Sequence, residues 1–188
     1  LYWNLIRHVP TSQAMAHPFV WSCIVLAALV GLWRRVAAVA SVPARVVALY
    51  SAAAVLIGIN WTIYVWGVNA GYVVQTSLGY FVTPLVNVLL GVVVLRERLR
   101  WLQWLAVAIA AAGVVHLARV YGSLPWIALG LAVSFGTYGL IKKKAPLARV
   151  DGLFLETATL VLPALAYLTF VQRSGEGLFL RAGVMTDV

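Results

Sequence analysis

The sequence predicts an all-α fold, a polytopic bundle of transmembrane helices, and three observations carry that expectation. Hydrophobic residues make up 63% of the chain against 10% charged, with a mean hydropathy of +0.96, far outside the range of water-soluble domains. No Asp, Glu, Lys, Arg or His occurs from Val46 to Leu95. That stretch is too long for one crossing, because about 20 residues at 1.5 Å each already span a hydrocarbon core of roughly 30 Å. The basic residues behind the net charge of +9 sit in short clusters between apolar runs, the pattern of membrane loops and not of a nucleic-acid-binding face. The lipid bilayer is therefore the expected partner, and nucleic acid is excluded.

Six spans follow in order, at residues 18–33, 46–68, 72–95, 101–120, 124–141 and 154–172, with partial apolar runs at both ends. The first stops at Arg34-Arg35. The second and third are joined by Asn69-Ala70-Gly71, a turn signal, and the third stops at Arg96. Between the fourth and fifth, Gly122-Ser123-Leu124-Pro125 offers a C-terminal glycine, an N-cap serine and a proline tolerated in a first helical turn. The fifth runs into Lys142-Lys143-Lys144, and the sixth follows the loop that holds Asp151. Connections this short force neighbouring helices to run antiparallel, so the loops alternate between the two sides of the membrane. The chain begins at Leu1 without a Met or a signal peptide and stops at Val188 as an apolar run resumes, which reads as an internal fragment forming one transmembrane domain over residues 1–188.

Charge tests the alternation. One side collects Arg34, Arg35, Arg45, Arg96, Arg98, Arg100, Lys142, Lys143, Lys144 and Arg149; the other has only Arg7, Arg119, Arg173 and Arg181. The positive-inside rule then makes loops 34–45, 96–100 and 142–151 cytoplasmic. Trp21, Trp66, Tyr72, Tyr121 and Trp126 are expected near the outer interface and Trp33, Trp101 and Trp104 near the inner one, where amphipathic rings prefer to lie.

The third span carries Gln75, Gly79, Thr83, Asn87 and Gly91 four residues apart, a single small and polar seam on an otherwise apolar helix. Gly79 and Gly91 read as positions of close helix packing. Pro84 cannot donate to the Tyr80 carbonyl, so it marks a helix break or kink whose free acceptor is met by Thr83, by a neighbour or by a cavity. Asn87 reads equally as interhelical glue or as a substrate contact, since a buried amide needs partners. Asn60 and Tyr64 share a face of the preceding helix, with Trp61 beside them. They lie at depths like those of Pro84 and Tyr80, so the two helices could line one pocket or simply bond to each other. Glu156, near the start of the sixth span, is an intramembrane acid or an interfacial one.

No enzyme is expected. A serine protease would need a Gly-rich nucleophile setting, and no Gly-x-Ser-Gly surrounds Ser77, although His116 lies on a later helix. An intramembrane aspartyl protease would need paired Asp residues, and Asp151 and Asp187 both read as loop positions. His116 and Arg119 read as interfacial. A single cysteine, Cys23, excludes an internal disulfide, and neither a metal nor a cofactor is expected.

Asn60-Trp61, Tyr64, Trp66, Val68-Asn69 and the block Ser77-Leu78-Gly79-Tyr80-Phe81-Val82-Thr83-Pro84-Leu85-Val86-Asn87-Val88-Leu89-Leu90-Gly91 resemble the RarD branch of the EamA drug/metabolite transporters. Glu97-Arg98-Leu99, Gln103-Trp104-Leu105-Ala106-Val107, Gly122-Ser123-Leu124-Pro125-Trp126, Ser134-Phe135-Gly136 and Tyr138-Gly139 extend the likeness from Leu1 to about Gly183. The resemblance implies a permease of the bacterial inner membrane, ten helices arranged as two inverted five-helix repeats that alternate access around a central site. On that map this chain runs from the end of helix one to the start of helix eight. The implied substrate is a small organic metabolite or drug, with Asn60, Trp61, Tyr64, Gln75, Tyr80, Thr83, Asn87 and Glu156 along its path; a homodimer is an open option. A structural or assembly subunit without transport is the alternative. Pro18 stands where the family usually has Arg, and Gln75 where it usually has Glu. The second departure removes a carboxylate suited to proton coupling and leaves Glu156 as the one intramembrane acid expected in the segment.

Single cysteines placed in loops 34–45, 96–100 and 142–151 of the full-length protein, with Cys23 replaced, should resist an impermeant maleimide in intact spheroplasts and react in inverted vesicles. Labelling from the outside would overturn the orientation.

Overall fold

A computed structural model describes residues 11–36, 39, 41–122 and 125–174, with backbone only at 11–15, 17 and 121. Regular structure among the described residues is helical: α1 Thr11–Leu32, α2 Ala44–Asn69, α3 Val73–Val94, α4 Trp101–Tyr121, α5 Trp126–Lys144 and α6 Arg149–Arg173. Each predicted span falls on one of these helices. The positions of Arg7, Ser123, Leu124, Arg181 and Asp187, and the side chain of Tyr121, lie outside what is described. By length and composition α2, α3, α4 up to Val120 and α6 can each cross a membrane; the apolar part of α1 is shorter, Pro18–Leu32. The last turn of α5 is Lys142, Lys143 and Lys144, cations placed where the helix dipole favours them.

Two boundaries differ from expectation for local reasons. α1 already begins at Thr11, so Pro18 is internal and Trp21 lies three residues into the apolar part of the helix. α6 starts at Arg149, which takes Asp151 out of the expected loop and into the first helical turn, where a carboxylate is favoured by the dipole. The turns behave as their residues dictate: Gly71 and Gly122 adopt φ of +87° and +71°, a region open to glycine at little cost. Tyr72 N–H closes the first turn by donating to the Gly67 carbonyl at 2.8 Å. Arg34 and Arg96 adopt φ of +54° and +56° without being glycine, each at about 1–2 kcal/mol.

The chain divides into two compact units, Leu1–Gly58 with Ala145–Val188, and Ile59–Lys144. In the first, α1 packs along α6. Just after left-handed Arg34, Arg35 Nη1 reaches Asp151 Oδ2 at 3.1 Å. Tyr50, only 1% exposed, accepts the Leu147 N–H on its hydroxyl at 3.1 Å. Its ring covers Gly152 so closely that an added Cβ would stand 2.5 Å from Tyr50 Cε1. Ser51 and Thr159 hydroxyls meet at 3.2 Å.

In the second unit α3 packs along α5, and the two run parallel: Gly79 lies by Leu131, and Asn87 by Gly136. Leu78, Val82, Ala128 and Ala132 form its core, with Val114 and Leu117 of α4 against them. The remaining face of α4, including Trp101, Ile109 and Val120, is exposed, as a lipid-facing surface requires. Trp66 and Tyr72, expected at the outer interface, stack at 5.8 Å where α2 turns into α3.

Gly152→Ala should lower stability by about 1–3 kcal/mol, because the Tyr50 ring has to move. Gly113→Ala, whose Cβ would meet nothing within 4 Å, should be neutral or raise stability by about 0.5–1 kcal/mol. Thermal melting of the purified protein checks both, and equal melting of the two variants would refute the tight contact.

Candidate functional site

The polar seam of α3 divides into two chemically different halves. In the first half Gly79 lets α5 approach: a Cβ there would lie 3.1 Å from Leu131 Cβ and 3.6 Å from Ala128 Cα. Helix association in lipid gains little from burying apolar surface and relies on this kind of backbone approach. Thr83, half-buried, donates its hydroxyl to the Gly79 carbonyl at 2.7 Å. α3 continues as helix through Pro84, and Thr83 thus serves the Gly79 acceptor, not the Tyr80 carbonyl that Pro84 leaves without its usual donor. Gln75 is half-buried in the first turns of α3.

Asn60 of α2 turns to α5. Its amide donates to the Leu131 carbonyl and to Ser134 Oγ, both at 2.9 Å, and Ser134 in turn donates to the Gly130 carbonyl at 2.7 Å. Ser134 is the residue sequence reasoning missed here. It stands on α5 between Val133 and Phe135, and its hydroxyl gains meaning only once Asn60 is seen opposite it. Tyr64 lies on the same face of α2 and meets Trp61 and Tyr80 edge-on, with ring centroids 6.1 and 6.2 Å away. The structure therefore joins Trp61, Tyr64 and Tyr80 into one aromatic group, with Tyr80 68% exposed, while Asn60 is bound to α5.

The second half of the seam opens. Asn87, Gly91, Glu97, Gly136, Gly139 and Lys143, with Leu90, Leu95 and Leu140, line a cavity of about 230 Å3. Asn87 Oδ1 would stand 3.1 Å from a Cβ on Gly136, and among the described residues its amide has no hydrogen-bond partner. After α3 the chain reverses at left-handed Arg96, and both Leu95 and Glu97 donate their N–H groups to the Gly91 carbonyl at 3.1 Å. This fold-back brings the Glu97 carboxylate over Gly91, where a Cβ would sit 2.8 Å from its Oε2. Glu97 pairs there with Lys143 Nζ. Neither charge was singled out by the sequence as part of a site, since each reads as a loop or anchoring residue.

Glu156 belongs to the other unit, on α6, and is 3% exposed. Asp151, five residues before it, is 7% exposed, so this segment contains two buried acids where one was expected. His116 and Arg119 are exposed on α4. Among the described residues no cluster of three or more His, Cys, Asp or Glu could hold a metal.

Apolar helices around a polar seam that borders a cavity define a polytopic membrane protein. The chain belongs to the EamA-like transporter family, whose profile matches residues 3–119, and within it to the RarD branch of the drug/metabolite transporters. It is 46% identical over 176 residues to an uncharacterized transporter of Pseudomonas aeruginosa, covering 90% of this chain and 58% of that protein. Protein RarD of Streptomyces exfoliatus is 44% identical over 187 residues, with 98% and 59% covered. Protein RarD of Escherichia coli is 38% identical over 201 residues, with 100% and 68% covered. The chain spans about three fifths of the length of the first two of these relatives. No solved structure matches it.

Asn60→Leu should cost about 1–2 kcal/mol, as interhelical hydrogen bonds in membranes average about 0.6 kcal/mol each and Ser134 loses a donor. The expected readout is a lower melting temperature, partly restored by Ser134→Ala in the same protein. Additive losses in the double variant would refute the bond.

Proposed function

We propose that the whole protein is a secondary transporter that moves small organic metabolites or drugs across the bacterial inner membrane by alternating access. The observation that carries this reading is the open half of the α3 seam. An amide on a membrane-crossing helix, without a hydrogen-bond partner among the described residues, lies beside Gly136 of α5 at the edge of a cavity. An amide kept in such a place needs water or a passing solute to satisfy it. Asn87 is the residue assigned to substrate contact, Thr83 and Pro84 shape the helix that carries it, and Trp61, Tyr64 and Tyr80 supply an aromatic wall. Loops 34–45, 96–100 and 142–151 face the cytoplasm. Gln75 carries no titratable group and buried Asp151 is paired with Arg35, so proton coupling within this segment falls to buried Glu156.

A second reading, a structural or assembly subunit, is favoured by Asn60 and Gly79, whose contacts are helix packing alone. It requires the seam to pack along its whole length, and from Asn87 to Gly91 the seam borders a cavity.

Full-length protein reconstituted in liposomes decides between them. Asn87→Leu should reduce uptake of a transported solute at least tenfold with unchanged melting temperature. Unaltered transport in a well-folded variant would remove Asn87 from the pathway, and loss of complex formation in its place would favour the assembly reading.

A further inference from the structure

We propose that the end of the second unit, where segment 96–100 meets the last turn of α5, binds an anionic phospholipid, its phosphate on Arg98, Arg100 and Lys144 and one acyl chain along the exposed face of α4. The site requires only that α4 lie in a bilayer, so it stands apart from the transporter reading. Segments 96–100 and 142–144 hold six cations, Arg96, Arg98, Arg100, Lys142, Lys143 and Lys144, against one carboxylate, Glu97. The tertiary structure sets the two segments side by side, since Glu97 of the first pairs with Lys143 of the second. That pair uses the one acid. No carboxylate among the described residues pairs with Arg98, Arg100 or Lys144, and all three are exposed.

The backbone presents the arginines at fixed positions. Leu95 and Glu97 both donate their N–H groups to the Gly91 carbonyl at 3.1 Å, and at the other end the Arg100 N–H donates to Gln103 Oε1 at 2.8 Å. A segment pinned at both ends has little further freedom to lose when an anion arrives. Two guanidinium groups suit a phosphate, because each planar fork can donate to two of its oxygens.

What separates a lipid from any other anion lies on the adjoining helix. α4 begins at Trp101, the residue after Arg100, and Trp101, Leu105 and Ile109 are 72%, 50% and 66% exposed. Side chains four apart share a helix face, and at 1.5 Å per residue these three extend about 12 Å along it. That is most of the roughly 15 Å depth of one hydrocarbon leaflet. A free phosphate, a nucleic acid or an acidic protein would use the cations and leave this apolar strip unused. A phospholipid carries a phosphate above an acyl chain, with the Trp101 ring at the level between them, where amphipathic rings prefer to lie.

Native mass spectrometry of the purified full-length protein, offered equimolar phosphatidylglycerol and phosphatidylcholine with matched acyl chains, tests the site. Phosphatidylglycerol should be retained at least fivefold over phosphatidylcholine. Arg98→Gln combined with Arg100→Gln should remove that preference at an unchanged melting temperature, and Lys144→Gln should at least halve it. Arg45→Gln, at an exposed cation of the other unit, should leave it intact. Equal losses in Arg45→Gln and in the double variant would show diffuse attraction to basic residues and overturn the site. So would an absent preference, or displacement of the lipid by sn-glycerol 3-phosphate, which carries the anion without the chain. Where the double variant melts early, brominated lipids in bilayers of wild type and Trp101→Phe decide the matter. The tryptophan emission that Trp101→Phe removes should be quenched at least twofold more by brominated phosphatidylglycerol than by brominated phosphatidylcholine, in about 0.15 M salt, which screens attraction beyond roughly 8 Å. Equal quenching by the two lipids would overturn the proposal.

Discussion

The parallel approach of α3 to α5 is the constraint on which the second unit depends. Lipid tails are as apolar as Val or Leu, so two helices gain little by hiding such side chains from them; they gain by bringing backbones close enough for dense packing and polar contacts. Gly79 under Leu131 and Gly136 beside Val86 and Asn87 set that approach at two levels. Where the helices are tight, Asn60 can span from α2 to the Leu131 carbonyl and Ser134. Where the approach relaxes, beyond Asn87, the same polar seam meets open space. One interface thus supplies both the rigid part of the unit and its cavity.

The first unit is held by a different balance. Tyr50 is buried against Gly152 with its hydroxyl bonded to Leu147, and Asp151 is buried with Arg35 beside it. Both units end a helix with an arginine in left-handed backbone, and in both the next residue makes an ion pair: Arg34 precedes Arg35, and Arg96 precedes Glu97. Glycine would adopt that conformation without the roughly 1–2 kcal/mol of strain, yet it would surrender a positive charge on the side of the chain where basic residues accumulate.

The proposed function rests on the division of the seam. Gly79 and Thr83 are used up in packing and in a hydrogen bond to their own helix, while Asn87 faces the cavity with Glu97 and Lys143. The family to which the chain belongs supports transport as the proposed use of such a space.

Much of the fold was legible in the sequence because its causes are local. Apolar runs bounded by charge define spans, and Gly71 and Gly122 mark turns because positive φ suits glycine. The four-residue seam was visible too, since side chains four apart share a helix face. Its meaning was not, because packing is decided by what stands opposite. Nothing near Asn87 in the chain tells that Gly136 and Gly139 leave room beside it, or that Asn60 meets Ser134. The burial of Asp151 was hidden by its charge, which reads as a loop until the Arg35 side chain is brought against it. Glu97 and Lys143 lie 46 residues apart, in segments that read separately as a loop and a topological anchor. The sequence by itself determined the helices and their turns, which depend on short-range hydrogen bonding and hydrophobicity. Only the tertiary structure decided which polar residues pack and which face a cavity, because that depends on distances between side chains remote in sequence.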